Sequence, residues 1–139
     1  NVRMGDPECQ VIMPRLKTDL VQLLNASVEN KLNKIKIKWK KDKCMTTVLC
    51  AKGYPDKVTT RKKINLKQIK LSKKSFLFHA GTKMKNGLLF SNGGRILNIV
   101  VLGSTFLKIR NQMYKIIKTI NWKHGFFRRD IGWRVIKKK

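Results

Sequence analysis

Arg95-Ile96-Leu97-Asn98-Ile99-Val100-Val101-Leu102, followed by Gly103 and Ser104, is the stretch whose reading decides the fold. It is almost continuously apolar and rich in β-branched residues, which predicts a strand. Ser104 can then cap a helix running to about Ile120. Along that helix Phe106, Ile109, Met113, Ile116, Ile117 and Ile120 recur on one inner side. Upstream, Asn92-Gly93-Gly94 breaks the chain. Lys83 to Ser91 reads as a hairpin around the two-residue turn Asn86-Gly87. Ser75 to Ala80 and Met45 to Ala51 read as further strands, the latter ended by the turn Gly53-Tyr54-Pro55-Asp56. Trp122 to Arg129 returns through Gly125 as a short aromatic strand. Strands, hairpin, strand, helix and strand in this order predict an α+β domain with a mostly antiparallel sheet.

The segments before Met45 read as helical. Pro7 suits the first position of a short helical turn set reaching about Ile12. Pro14 opens a second helix through roughly Ala26, with Leu16, Leu20, Leu23 and Leu24 as its buried stripe. Residues 31–43 alternate Lys with Ile35, Ile37 and Trp39, as an exposed strand or a loosely held amphipathic segment would. Residues 57–74, dominated by Lys, Thr and Asn, are expected to hold only a short helical turn. The Lys137–Lys139 tail is expected to fray.

At 139 residues the chain suffices for one core with a small additional lobe. Its 42% hydrophobic content is that of a folded domain. No run approaches the roughly 20 apolar residues of a membrane span. The polar start has no signal-peptide layout and no Met, so the chain is expected to begin mid-protein or after processing. Cys9, Cys44 and Cys50 are odd in number and lack metal-ligand spacing. They are expected to be free, buried thiols in a reducing compartment, and no zinc site is expected. The net charge of +26 suggests a polyanion partner. Against sequence-specific nucleic-acid reading, Lys greatly outnumbers Arg and the lysines are spread along the whole chain.

Chemistry concentrates in Asn1-Val2-Arg3-Met4-Gly5-Asp6-Pro7-Glu8-Cys9-Gln10. On an extended strand, Asn1 and Arg3 point to one face. An amide oxygen suits a hard Mg²⁺ and a guanidinium can clamp a phosphate or carboxylate. The same residues also suit a strand end leading into an ordinary capped helix. Gly93-Gly94-Arg95 can bring backbone close to a ligand beside a guanidinium, or serve as a plain hairpin connection. Arg128-Arg129-Asp130 reads as a surface ion pair or as a basic rim for a phosphorylated sugar. His79 is expected to be half-buried and satisfied.

Five segments in order resemble one family. They are Asn1 to Gln10; Lys52-Gly53-Tyr54-Pro55; Phe78-His79-Ala80-Gly81-Thr82-Lys83; Ser91-Asn92-Gly93-Gly94-Arg95-Ile96-Leu97; and Arg128-Arg129-Asp130-Ile131-Gly132-Trp133-Arg134. Together they resemble the phosphoribosylamine–glycine ligase (glycinamide ribonucleotide synthetase) family over nearly the whole chain. The resemblance implies that residues 1–30 are the C-terminal edge of an ATP-grasp domain. It implies that residues 31–139 are a small, mostly antiparallel C-terminal domain with one long helix. It implies an ATP-dependent C–N ligase of purine biosynthesis that joins glycine to 5-phosphoribosylamine through a glycyl phosphate. It further implies Asn1 as a ligand of Mg²⁺ or Mn²⁺ and Arg3 as the catalytic cation. Asp6, Glu8, Gly94, Arg95, Arg129 and Asp130 would face substrate. The upstream lobes of such an enzyme lie outside this sequence, so the chain alone is expected to be inactive. A monomeric cytoplasmic protein with glycine, 5-phosphoribosylamine and ATP as partners, no membrane and no specific nucleic acid, is what the family implies. A free-standing basic module that binds polyanions is the alternative.

Overall fold

The computed structural model describes residues 3–136. Its centre is an antiparallel four-stranded sheet in the order β3 (Ser75–His79), β6 (Arg95–Gly103), β1 (Lys43–Ala51) and β7 (Gly125–Phe126). β1 and β6 run side by side from Lys43↔Gly103 to Cys50↔Arg95, with an irregularity between Leu49 and Cys50. β6 is buried along almost its whole length, and its two faces enter different clusters. Leu97, Ile99 and Val101 join Met45, Leu49 and Ala51 beneath helix α3 (Phe106–Ile120), in the larger core. Val100 and Leu102 join Cys44, with Val11 of helix α1 (Cys9–Arg15) and Phe76 against them. Cover on both sides is why this strand reads as a continuous apolar run instead of alternating.

The α+β reading stands. α3 buries Ile109, Met113, Ile116, Ile117 and Ile120 as expected, although Thr105 and not Ser104 caps it, accepting from the Lys108 N–H. Asn121, in the left-handed region with φ 48°, ends it. The hairpin forms from β4 (Thr82–Lys85) and β5 (Leu88–Ser91). Asn86 and Gly87 both have positive φ, the backbone that a two-residue turn matching strand twist requires.

Other expectations are corrected. Residues 57–74 hold no helix: Lys63–Ile64 forms a short strand, β2, that pairs with β5 and completes a second, three-stranded sheet. Buried Ile64 anchors it to the core. The aromatic return is only Gly125–Phe126, followed by an unanticipated turn of helix, α4 (Trp133–Ile136). Near the start, Arg3 and Met4 lie in no strand, and Asn1 and Val2 lie outside the described residues, as do Lys137 to Lys139. α1 continues through Pro14, and the next helix, α2, spans Leu20–Val28. Asp19 is the reason: its carboxylate accepts from the Gln22 N–H and caps that helix five residues later than Pro14 would have begun it. The leucine stripe is not buried either. Among α2 residues only Ala26 is buried, while Val21, Leu24 and Val28 are exposed.

The Lys-rich segment after α2 is extended, with a short 3₁₀ turn at Leu32–Lys34. It is fastened to residues 15–18 by an isolated bridge between Trp39 and Leu16 and by hydrogen bonds in which the Lys17 N–H donates to the Lys38 carbonyl, the Lys40 N–H to the Arg15 carbonyl and the Lys38 N–H to the Thr18 hydroxyl. All three cysteines are free, but only Cys44 and Cys50 are buried; Cys9 is half-exposed at the start of α1. No helix among the described residues is long and apolar enough to cross a membrane.

Candidate functional site

Arg95 begins β6 at the edge where the first residues of the chain cross the sheet. Its Nη1 donates to the Asp6 backbone oxygen at 2.7 Å, and its Nε lies 3.3 Å from the Asp6 carboxylate. The other carboxylate oxygen of Asp6 accepts from Gln10 Nε2 at 3.0 Å. The turn that leads into α1 therefore presents Asp6 to Arg95, and the guanidinium grips backbone and side chain of the same residue. A fork of this kind fixes position as well as charge.

Two neighbours shape the same corner. A Cβ at Gly94 would strike the ring of Tyr54, so only glycine lets the backbone pass that close. Gly94 also accepts from the Ala51 N–H at 2.8 Å, and Gly81 donates to the Arg95 carbonyl at 2.7 Å. Thus the ends of β1, β3 and β6 converge here, with Gly93 against Gly81. Burial pushes the Cys50 thiol, opposite Arg95 in β1, above its ordinary range, and the Arg95 charge pulls the other way. Glu8 folds back so that its carboxylate lies against Gly5. Arg3 is exposed and donates to the adjacent Met4 carbonyl at 3.2 Å.

Asp6, Gly94 and Arg95 are thus brought together, with Glu8 two residues from the clamp. Arg129 and Asp130 are led elsewhere. After pairing Phe126 with Cys50, the chain runs back along β1 until Gly132 lies against Met45. Met45 and Cys50 are five residue steps apart along the strand, about 16 Å. Asp130 is gripped in two places by Arg128, whose hydrogen bonds hold its carboxyl below the usual range. The Arg129 guanidinium stacks over Phe127, and the Arg129 carbonyl accepts from the Tyr114 hydroxyl. His79 is exposed, with Nδ1 3.0 Å from the Thr82 hydroxyl.

Sequence reasoning missed two parts of the clamp corner. Gln10 stands four residues after Asp6, a spacing at which helical side chains meet, and could have been found that way. Tyr54 could not, because its contact with Gly94 spans forty residues and two elements. Asn1, the expected metal ligand, lies outside the described residues. Among those described, no three His, Cys, Asp or Glu side chains gather to hold a metal ion.

Residues 44–134 match the family model "Phosphoribosylglycinamide synthetase, C domain". The whole chain is 41% identical to a phosphoribosylamine–glycine ligase of Brucella melitensis, covering 33% of that protein. It is 39% identical to the chloroplastic phosphoribosylamine–glycine ligase of Arabidopsis thaliana, covering 27% of it. A crystal structure of phosphoribosylamine–glycine ligase from Thermotoga maritima superposes with a TM-score of 0.69 at 29% identity, over 94% of this chain and 32% of that one. The chain spans about a third of the length of the curated relatives it matches.

Proposed function

The chain belongs to the phosphoribosylglycinamide synthetase C-domain family, and from that premise we propose that it is the C-terminal part of an ATP-dependent phosphoribosylamine–glycine ligase. The observation that carries the proposal is identity of 41% along the whole chain, which extends through residues 1–43, ahead of the C-domain match. In this reading residues 1–30 are the last edge of an ATP-grasp domain and residues 31–139 its C-terminal companion. The basic-module alternative gains no support from the relatives.

The reaction so proposed has two steps. Glycine's carboxylate takes the terminal phosphoryl group of ATP, giving glycyl phosphate and ADP. The amine of 5-phosphoribosylamine then attacks the acyl carbon, phosphate leaves, and glycinamide ribonucleotide forms for purine biosynthesis. Charge builds on the transferring phosphoryl oxygens, so an aimed cation lowers the barrier. Arg3 is the candidate for that role, being exposed and, among the described residues, bonded only to the next carbonyl. Asp6, Glu8, Gly94 and Arg95 would border the substrate amine, with the Arg95 grip holding the Gly5–Glu8 segment in register. Arg129 and Asp130 would form a more distant basic rim. Asn1 would give one oxygen to Mg²⁺ or Mn²⁺. The described residues do not by themselves make a metal site. A monomeric cytoplasmic enzyme is proposed, with glycine, 5-phosphoribosylamine and ATP as partners.

The test starts with the coding DNA upstream of Asn1. The frame is expected to continue through a Glu two codons before Asn1 and an ATP-binding lobe. The protein expressed from that frame should release ADP in a glycine-dependent way, with sustained turnover only when phosphoribosylamine is also present. The 139-residue chain alone should release none. A start signal immediately before Asn1, or a longer product without glycine-dependent ADP release, sinks the proposal.

A further inference from the structure

The second sheet carries a cavity that the ligase reading does not use. It has a volume of about 470 Å³ and is lined by Arg61, Lys83, Lys85, Phe90, Ser91 and Asn92. That volume falls within the range of small-molecule sites, roughly 300–1,000 Å³. Three of the six lining residues are cations and none is an acid. None of the three has an ion-pair partner among the described residues, whereas the four ion pairs that exist lie elsewhere.

Each cation is there for a structural reason. Lys83 and Lys85 alternate along β4, so they share a face about 7 Å apart. Arg61 is held at the rim by a left-handed backbone, φ 59°, an uncommon state for a residue with a side chain. The Arg61 N–H donates to the Ser91 carbonyl at 2.7 Å, and the Lys62 N–H donates to the Ser91 hydroxyl at 2.9 Å. Those two bonds lock the turn, and such backbone outliers cluster at ligand clamps. Between the cations, Phe90 is directly opposite Lys83 in the sheet and half-buried in the lining. It offers a flat apolar platform. Asn92 adds an exposed side-chain amide, able both to donate and to accept.

A ligand that satisfies this lining has an anionic end, a planar ring and hydrogen-bonding edges. We propose that the cavity framed by Arg61, Lys83, Lys85, Phe90 and Asn92 is a binding site for a nucleoside phosphate. The phosphate is taken by Arg61 and the two lysines. The base lies over Phe90, a contact that tolerates any base because every base has a π-face. Asn92 meets the base edge. This site is independent of the ligase reading.

The strong general charge makes the control as important as the test. AMP is titrated into the 139-residue chain at about 150 mM salt, where long-range attraction is screened. The expected result is saturable binding of one AMP per chain. Affinity should fall tenfold or more in Arg61→Ala/Lys83→Ala/Lys85→Ala and less than twofold in the charge-matched Lys34→Ala/Lys115→Ala/Lys118→Ala. Ribose 5-phosphate and inorganic phosphate should bind at least tenfold more weakly than AMP, and Phe90→Leu should narrow that gap. Circular dichroism of every variant checks that it is folded. Equal losses in the two triple variants would reduce the effect to bulk charge and overturn the proposal. So would AMP binding no better than phosphate, or no saturable binding at all.

Discussion

Arg95 spends one guanidinium on two acceptors of Asp6, and both partners are only partly buried, with side chains 39% and 35% exposed. A pair that wet contributes about 0–1 kcal/mol. Its importance is therefore positional: it fixes where the Gly5–Glu8 turn meets the end of β6. Cys44 shows the opposite regime, in which burial dominates. Enclosed between α1 and the sheet, its thiol is pushed up to about 11 by loss of hydration, against weaker opposing pulls from Arg15, a Met45 backbone hydrogen bond and Lys40. The thiolate is the reactive species, so Cys44 should be inert at neutral pH. In a Cys9→Ser/Cys50→Ala background, iodoacetamide should modify the folded protein negligibly at pH 8, with a rate that climbs toward pH 11. The linkage has a definite sign. An acid whose folded pKa is raised above its unfolded value gives stability present below the unfolded pKa, near 9, and lost as pH rises toward 11. Stability measured by urea should accordingly fall over that window, and Cys44→Ala should flatten the fall. A reaction inflection near pH 8.5 would show that the thiol is solvated.

Helix α2 is the element whose environment is least complete. Val21, Leu24 and Val28 are 63%, 53% and 84% exposed, yet they share a helix whose polar capping is sound. Burying a side chain of this kind is worth about 1.5–3 kcal/mol. In the proposed ligase, the rest of the ATP-grasp domain, upstream of Asn1, would cover the face. The double substitution Val21→Lys/Leu24→Lys should then shift the stability of the 139-residue chain by less than about 0.5 kcal/mol, as surface changes do. In the longer protein it should cost about 3 kcal/mol or more. Equal, small shifts in urea midpoint for both proteins would mean that this face stays open. The same helix shows what local reading can and cannot deliver. β6, α3 and the Asn86-Gly87 hairpin were legible because their signals (apolar continuity, 3.6-residue recurrence, a two-residue turn) sit within one element. The leucine spacing of residues 16–24 announced an apolar face truthfully but not what would cover it. Pro14 reads as the helix start, whereas Asp19 caps α2 by accepting from the Gln22 N–H. β2 is two residues long and exists through its partner β5, so no pattern of its own could reveal it. At the candidate site, Asp6, Gly94 and Arg95 were nameable as residues, but their meeting across 89 positions belongs to the tertiary fold.

The whole molecule carries a net +26 on a surface of 10290 Å². That is one uncompensated charge per roughly 400 Å², so neighbours stand about 20 Å apart. Screening lengths are near 30 Å in 0.01 M salt and about 8 Å at 0.15 M. In dilute buffer each charge therefore feels several others, whereas at physiological ionic strength it feels few. With only four ion pairs among the described residues, little of that repulsion is offset internally, and a compact state suffers from it more than an expanded chain does. Raising NaCl from 0.01 to 0.15 M should thus stabilise the fold, by about 3 °C in Tm if the relief is near 1 kcal/mol. Most of the gain should be complete by 0.15 M, because the screening length has by then dropped below the charge spacing. Sodium sulfate strengthens apolar burial as well, so it should raise Tm further at equal ionic strength, and the difference between the two salts separates burial from charge. A Tm unchanged between 0.01 and 0.15 M NaCl would mean that the lysines are too mobile and hydrated to oppose folding. The same screening divides bound anions into two kinds. Polyanions held by bulk charge should be released steeply across this salt range, whereas a nucleotide seated between Arg61, Lys83 and Lys85 on Phe90 should lose only part of its affinity, since stacking does not depend on salt.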